Sequence, residues 1–246
     1  MTKKSFEVLI LIGRPASGKS EIIDYLQKIP LDERRNKFHL ANLDILDDFP
    51  ILWSWFEEDH LLSEHLGQPR LYTDDQGYLL NQYFWHLLVE RLGLEFRKRQ
   101  RDPHYHAQTT TLVEFSRGRE HGGYQAALSH LPEDLLQRAG VIYINVSFAE
   151  ALRKNRRRFN PERPDSSLEH GLPDEKMKRL YEEDDWKQLT SPDSEFLHVG
   201  DIHLPYVVFE NEDDVTTNQP KQLADRLENV LNRLWVVYAS NKETLG

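Results

Sequence analysis

Apolar residues along this chain fall into short continuous runs, separated by longer stretches in which they recur every three or four positions. That pattern predicts strands alternating with helices. Phe6 to Ile12 is a run of aliphatic and β-branched residues, as expected of a strand covered on both faces. A helical pattern follows, with Ile22, Ile23 and Leu26 on one side, and it stops before Pro30. Phe38 to Leu43, Thr110 to Phe115, Gly140 to Val146 and Tyr206 to Phe209 read as four further strands. The last helix runs from Pro220 to about Tyr238, with Leu223, Leu227, Val230, Leu231 and Leu234 on one stripe and proline at its first position. Alternation of this kind predicts an α/β fold with a mostly parallel sheet.

Two gaps are too long for plain crossovers. The first, Asp44 to about Gln108, holds helical patterns around Ile51 to Leu66 and Tyr78 to Arg99, joined by the turn-rich stretch Gly67 to Gly77. The second, Asn160 to Leu204, holds several prolines and the acidic run Glu182 to Asp185. Both read as insertions over one edge of the sheet, within a single domain spanning residues 1–246. Composition narrows the function. With 31 basic and 41 acidic side chains the net charge is −10, which disfavours a nucleic-acid or anionic-membrane coat. Cysteine is absent, so disulfides, cysteine-ligated metals and thiol catalysis are excluded. The apolar run after Lys3 and Lys4 is short and preceded by Glu7, so a buried strand is expected there rather than a leader. No stretch approaches the roughly 20 apolar residues of a membrane span, and the expected location is the cytoplasm.

The chemistry is announced by Gly13-Arg14-Pro15-Ala16-Ser17-Gly18-Lys19-Ser20, a full match to G-x-x-x-x-G-K-S/T lying between a strand and a helix. Glycines let successive N–H groups curl inward onto phosphate oxygens, and the helix N-terminus adds favourable partial charge. Lys19 would reach the β- and γ-phosphates of ATP, and the Ser20 hydroxyl would ligate Mg²⁺. On these residues the chain resembles the P-loop NTPase superfamily, and within it the nucleoside and nucleotide kinase-like group. The resemblance implies a three-layer α/β/α sandwich with a five-stranded parallel sheet in the order 2-3-1-4-5. It also implies an acceptor-binding helical insertion at about 45–108 and a lid-like insertion at about 153–204.

Other P-loop classes fit less well. The N-K-x-D guanine signature is absent, and Asp74-Asp75-Gln76-Gly77 matches D-x-x-G only inside a polar turn. No four-residue apolar run leads into Asp-Glu, as is usual in AAA and transport ATPases. Phosphoryl transfer to a small acceptor needs a carboxylate near the acceptor hydroxyl and cations around the moving phosphoryl group. Asp44, expected at the end of the second strand, resembles the acceptor-side aspartate of uridine-kinase and gluconate-kinase types; Asp47 and Asp48 take its place if the strand ends later. Glu114 closes the third strand and is a candidate for the acceptor or for Mg²⁺, with Arg117 behind it for phosphate. Arg153 and Arg157, four apart on one helix face, resemble lid arginines. Trp53 and Tyr83 stand in an aromatic-rich insertion that could stack an acceptor or form core. His60 and His65 lie about 140° apart on a helix and fit no metalloprotease spacing, so no transition metal is expected. The expected activity is a Mg²⁺-dependent kinase using ATP on a small hydroxylated or phosphorylated acceptor, with no nucleic-acid or membrane partner. Two alternatives stand beside it: a nucleotide-binding regulatory module or slow ATPase, and a toxin-like kinase acting on a nucleotide-sugar or macromolecule.

Overall fold

A computed structural model describes residues 5–158 and 171–245, with side chains to residue 242. Residues 159–170, part of the expected lid-like insertion, lie outside that description. Strand β1 (Val8–Gly13) is buried throughout, which is why its sequence carries no polar alternation. Gly18 leads straight into α1 (Lys19–Lys28), which buries Ile22, Ile23 and Leu26. After Pro30 comes α2 (Leu31–Phe38), a short helix the sequence pattern did not separate from the strand expected at Phe38 to Leu43.

That strand is β2 (Asn42–Asp47), displaced towards the C-terminus. The cause is Arg34, whose buried guanidinium donates to the carbonyls of Leu26 at 3.0 Å and Ala41 at 3.0 Å. It holds residues 38–41 in a turn, with His39 in the left-handed region and Phe38 and Leu40 buried beneath β1's entrance. Pairing therefore starts only at Asn42, opposite Thr109, and Asp47 ends up opposite Glu114.

The first insertion contains α3 (Phe49–His60), extended by a wide turn at Leu61–His65, and α4 (Tyr83–Arg99). Buried Asp59 organises the connection. Its carboxylate accepts from the backbone N–H groups of Leu71 at 2.6 Å and Thr73 at 2.6 Å, and from the Thr73 hydroxyl at 2.7 Å. The short α5 (Tyr105–Gln108) precedes β3 (Thr109–Phe115). Then come α6 (Gly123–Ser129), α7 (Glu133–Leu136), β4 (Ala139–Asn145) and α8 (Phe148–Arg158). Helices α9 (Asp174–Tyr181) and α10 (Trp186–Thr190) lead to β5 (Phe196–Val199), β6 (Ile202–Glu210) and α11 (Pro220–Leu245).

The sheet order is β2-β3-β1-β4-β6-β5. Its first five strands are parallel in the expected 2-3-1-4-5 arrangement, counting β6 as the fifth. The sixth, β5, corrects the five-strand expectation: it pairs antiparallel with β6 across a turn at Gly200 and Asp201, with Gly200 at φ +58°. Side chains alternate across β1 to feed two cores. Val8, Ile10 and Ile12 pack with Phe96, Tyr124 and Trp186, while Leu9 and Leu11 pack with Ile22, Leu26, Leu227 and Leu231. Helices thus cover both faces, giving the expected three-layer α/β/α sandwich, with the carboxyl ends of the parallel strands free to form a site.

Candidate active site

The loop between β1 and α1 is bent into a backbone cradle. Ala16 takes φ +59° and Gly18 φ +110°, and a Cβ on Gly18 would stand 2.5 Å from Asn211 Nδ2. Asn211 in turn donates to the Ser17 carbonyl at 2.7 Å, pinning the loop from the end of β6. Buried Lys19 curls over this cradle, its Nζ donating to the carbonyls of Gly13 at 3.2 Å and Arg14 at 3.1 Å and to Ser116 Oγ at 2.8 Å. Burial lowers the pKa of this ammonium, against the raising influence of Glu114 and Asp47. Ser17 Oγ is buried in the loop without a hydrogen-bond partner among the described residues. A loop curled through left-handed Ala16 and Gly18 into a helix N-terminus, with its lysine resting on the loop's own carbonyls, suits a polyphosphate.

Carboxylates from the ends of β2 and β3 meet the loop. Ser20 Oγ donates to Glu114 Oε1 at 3.3 Å. Burial pushes Glu114 above its ordinary range, opposed by Lys19 and Ser20. Asp47 is pushed up to about 7, first by burial and then by the charges of Glu114 and Asp48; its Oδ1 accepts the Phe49 N–H at 2.9 Å. Hydroxyl and carboxylate oxygens of this kind fit Mg²⁺, which keeps few protein ligands and completes its shell with waters and phosphate oxygens. The described residues contain no cluster of three or more His, Asp or Glu that could hold a metal ion.

Behind the carboxylates Arg117 is almost fully buried. Its guanidinium pairs with Asp48 at 2.7 Å, donates to the Trp85 carbonyl at 3.1 Å and lies against the Trp85 ring. His121 stacks on the other part of Trp85, with ring centroids 3.8 Å apart, and its Nδ1 accepts the Gly118 N–H at 3.1 Å. Burial and the Arg117 charge hold His121 neutral, well below the usual histidine range. All these groups border one cavity of about 650 Å³, which also has Phe49, Trp53, Phe56 and Tyr78 along its wall. Helix α9 roofs it with Lys176, Arg179 and Tyr181, and α8 contributes Asn155 and Arg158.

Several expected site residues are gathered here: the loop from Pro15 to Ser20 apart from Ser17, which lies beneath it, together with Glu114, Arg117 and Trp53. Others are not. Asp44 sits inside β2, three residues short of its end, where its Oδ2 is held by Arg99 at 2.6 Å and the Tyr105 hydroxyl at 2.7 Å. The later end of β2 brings Asp47 and Asp48 to the cavity instead. Arg153 and Arg157 turn to the β6–α11 connection, pairing with Asp214 at 3.1 Å each, and Arg153 also holds Glu150. Helix phase gives the cavity Asn155 and Arg158 from the same run. Tyr83 is 57% exposed on the outer face of α4. Arg14 leaves the loop sideways to the carbonyls of Val146, Tyr181 and Glu182 and to Asp184 at 2.8 Å. His121, Lys176 and Arg179 were not expected, because nothing in local sequence brings His121 onto Trp85 or α9 over the first insertion.

No protein-family model matches the sequence, and no curated protein matches it. Among solved structures, an unliganded sugar kinase from Janibacter sp. HTCC2649 aligns with 14% identity over 92% of this chain and 95% of its own, with a TM-score of 0.41. Shikimate kinase from Acinetobacter baumannii, in complex with shikimate, aligns with 15% identity over 96% of each chain and a TM-score of 0.38. The activities in those names are those proteins' own. None of the described helices is long and apolar enough to cross a membrane.

Proposed function

We propose that the protein transfers the γ-phosphate of ATP to a hydroxyl of a small acceptor, with Mg²⁺. The observation that carries this reading is the junction of a phosphate cradle with a roofed, aromatic-walled cavity whose inner end holds Asp47 and Glu114. A pure nucleotide switch has no need of the second half. Bound Mg²⁺ would neutralise charge on the β- and γ-phosphate oxygens. Lys19 and the loop amides hold the polyphosphate, and Ser20 and Glu114 supply oxygens on the metal side. Asp47, with its pKa near neutrality, accepts the proton of the acceptor hydroxyl. The acceptor oxygen then bonds to the γ-phosphorus as the bond from phosphorus to the bridging oxygen breaks, and that electron pair leaves with ADP. Enclosure by α9 keeps water from competing.

A screen with γ-labelled ATP over nucleosides, nucleotides, sugars and small alcohols tests this. A labelled small-molecule product that disappears in Lys19→Ala is expected. Release of free phosphate alone, with every acceptor, would overturn the transfer reading in favour of an ATPase switch.

A further inference from the structure

The cations bordering the cavity are not equivalent. Lys19 is engaged by the loop, Arg117 by Asp48, and Arg179 by Glu120 at 3.0 Å. Lys176, on α9, has no hydrogen bond or ion pair among the described residues, although its ammonium borders the cavity. It lies over the Tyr78 ring at 5.1 Å and against Gly77, and burial lowers its pKa. The nearest acid acting on it is Asp74, whose Oδ1 is turned into its own loop, accepting the N–H groups of Gln76 at 2.9 Å and Tyr78 at 2.8 Å. The support beneath Lys176 is rigid. Tyr78 is tied to Asp74 through both its N–H and its carbonyl, and Arg179 packs on its ring at 4.2 Å. A partly desolvated ammonium with no ion-pair partner among the described residues, held over an aromatic ring, is costly by itself and favours an incoming anion.

We propose that Lys176 receives an anionic group of the acceptor, a carboxylate or a phosphate, borne away from the reacting hydroxyl. The acceptor is then a hydroxylated organic anion with an apolar body, not a neutral sugar or alcohol. The inference deepens the kinase reading and rests on it for the word acceptor, though not for the anion site itself. Electrostatics also orient the molecule. Asp47, Asp48 and Glu114 crowd the end beside Lys19 and repel an anion there, while Trp53 and Phe56 offer an apolar wall. The hydroxyl end therefore points inward to Asp47 and the anion outward to Lys176.

Binding of benzoate, phenyl phosphate and benzamide, measured by calorimetry with ADP and Mg²⁺ filling the loop, tests the site without requiring turnover. At least one of the two anions should bind about tenfold more tightly than benzamide, as one partly buried ion pair provides. That preference should vanish in Lys176→Met and largely survive in Lys176→Arg, with unliganded melting temperatures confirming that both variants fold. A response to benzoate alone marks a carboxylate site, and to phenyl phosphate alone a phosphate site; both support the proposal. Equal binding of benzamide and both anions, or undiminished anion preference in Lys176→Met, would overturn it. Once a substrate is found, Lys176→Met should raise the acceptor KM and leave the ATP KM unchanged. Anion binding that depends on Lys176 without any transferred phosphate would sink the kinase reading alone, and transfer at an unaltered acceptor KM in Lys176→Met would sink this proposal alone.

Discussion

Asp44 and Asp47 stand three residues apart on one strand and have unlike surroundings. Asp44 is paired with Arg99 and hydrogen-bonded by Tyr105 at the sheet's edge, whereas Asp47 is half-buried among carboxylates beside the loop. If Asp47 takes the acceptor proton, it must be ionised to work. Its carboxyl loses the proton only near pH 7, so the rate should fall about tenfold per pH unit below that value. Asp47→Asn should slow transfer by about 10² or more and abolish this acidic limb, whereas Asp44→Asn should retain it. A wild-type pH profile flat from mildly acidic to mildly alkaline conditions would remove Asp47 as the base. The loop, Glu114 and Arg117 were legible in the sequence because each sits within a few residues of an apolar strand run. Asp47's place was not, because it depends on Arg34 turning inward to the Leu26 and Ala41 carbonyls and holding back the start of β2, a contact that apolar periodicity does not register.

At the scale of elements, α9 organises the site more than its eight residues suggest. Its C-terminal end is seated on the segment after β3, where a Cβ on Gly118 would fall 1.8 Å from the Leu180 carbonyl oxygen. Gly118→Ala must therefore displace α9 or its own loop. The expected cost is about 1–3 kcal/mol in urea unfolding, with weaker acceptor binding from the shifted roof. Unaltered stability and acceptor KM in this variant would show that the contact gives way freely. Arg14 fastens the same end of α9 to the phosphate loop through Tyr181, Glu182 and Asp184. None of this long-range seating leaves a trace in local periodicity. The hairpin of β5 and β6 is a different case: Leu197 and Val199 alternate with an exposed His198 before Gly200-Asp201, a readable turn signal hidden by the prolines and acids around it.

For the molecule as a whole, a net charge of −10 surrounds a cavity into which Lys19, Arg117, Arg158, Lys176 and Arg179 converge. The alternation of strands and helices was readable, because strand runs and their spacing survive in the sequence, while the sheet order came with the resemblance that the phosphate loop carries. Which helix faces which part of the cavity was not, since a one-residue change of phase exchanges Arg157 for Arg158. The tryptophans divide by location in a way that can be used. Trp55 and Trp186 are buried in packed clusters and Trp235 stacks on His39; Trp85 borders the cavity but is buried against His121 and Arg117, whereas Trp53 forms a partly exposed piece of the cavity wall, its indole N–H held by Glu57 at 3.0 Å. The protein thus carries its own optical gauge of occupancy. Filling the cavity strips water from the Trp53 ring, so emission should move to shorter wavelength as acceptor saturates. Trp53→Phe should erase most of that displacement, and emission indifferent to a bound acceptor would place the ligand elsewhere.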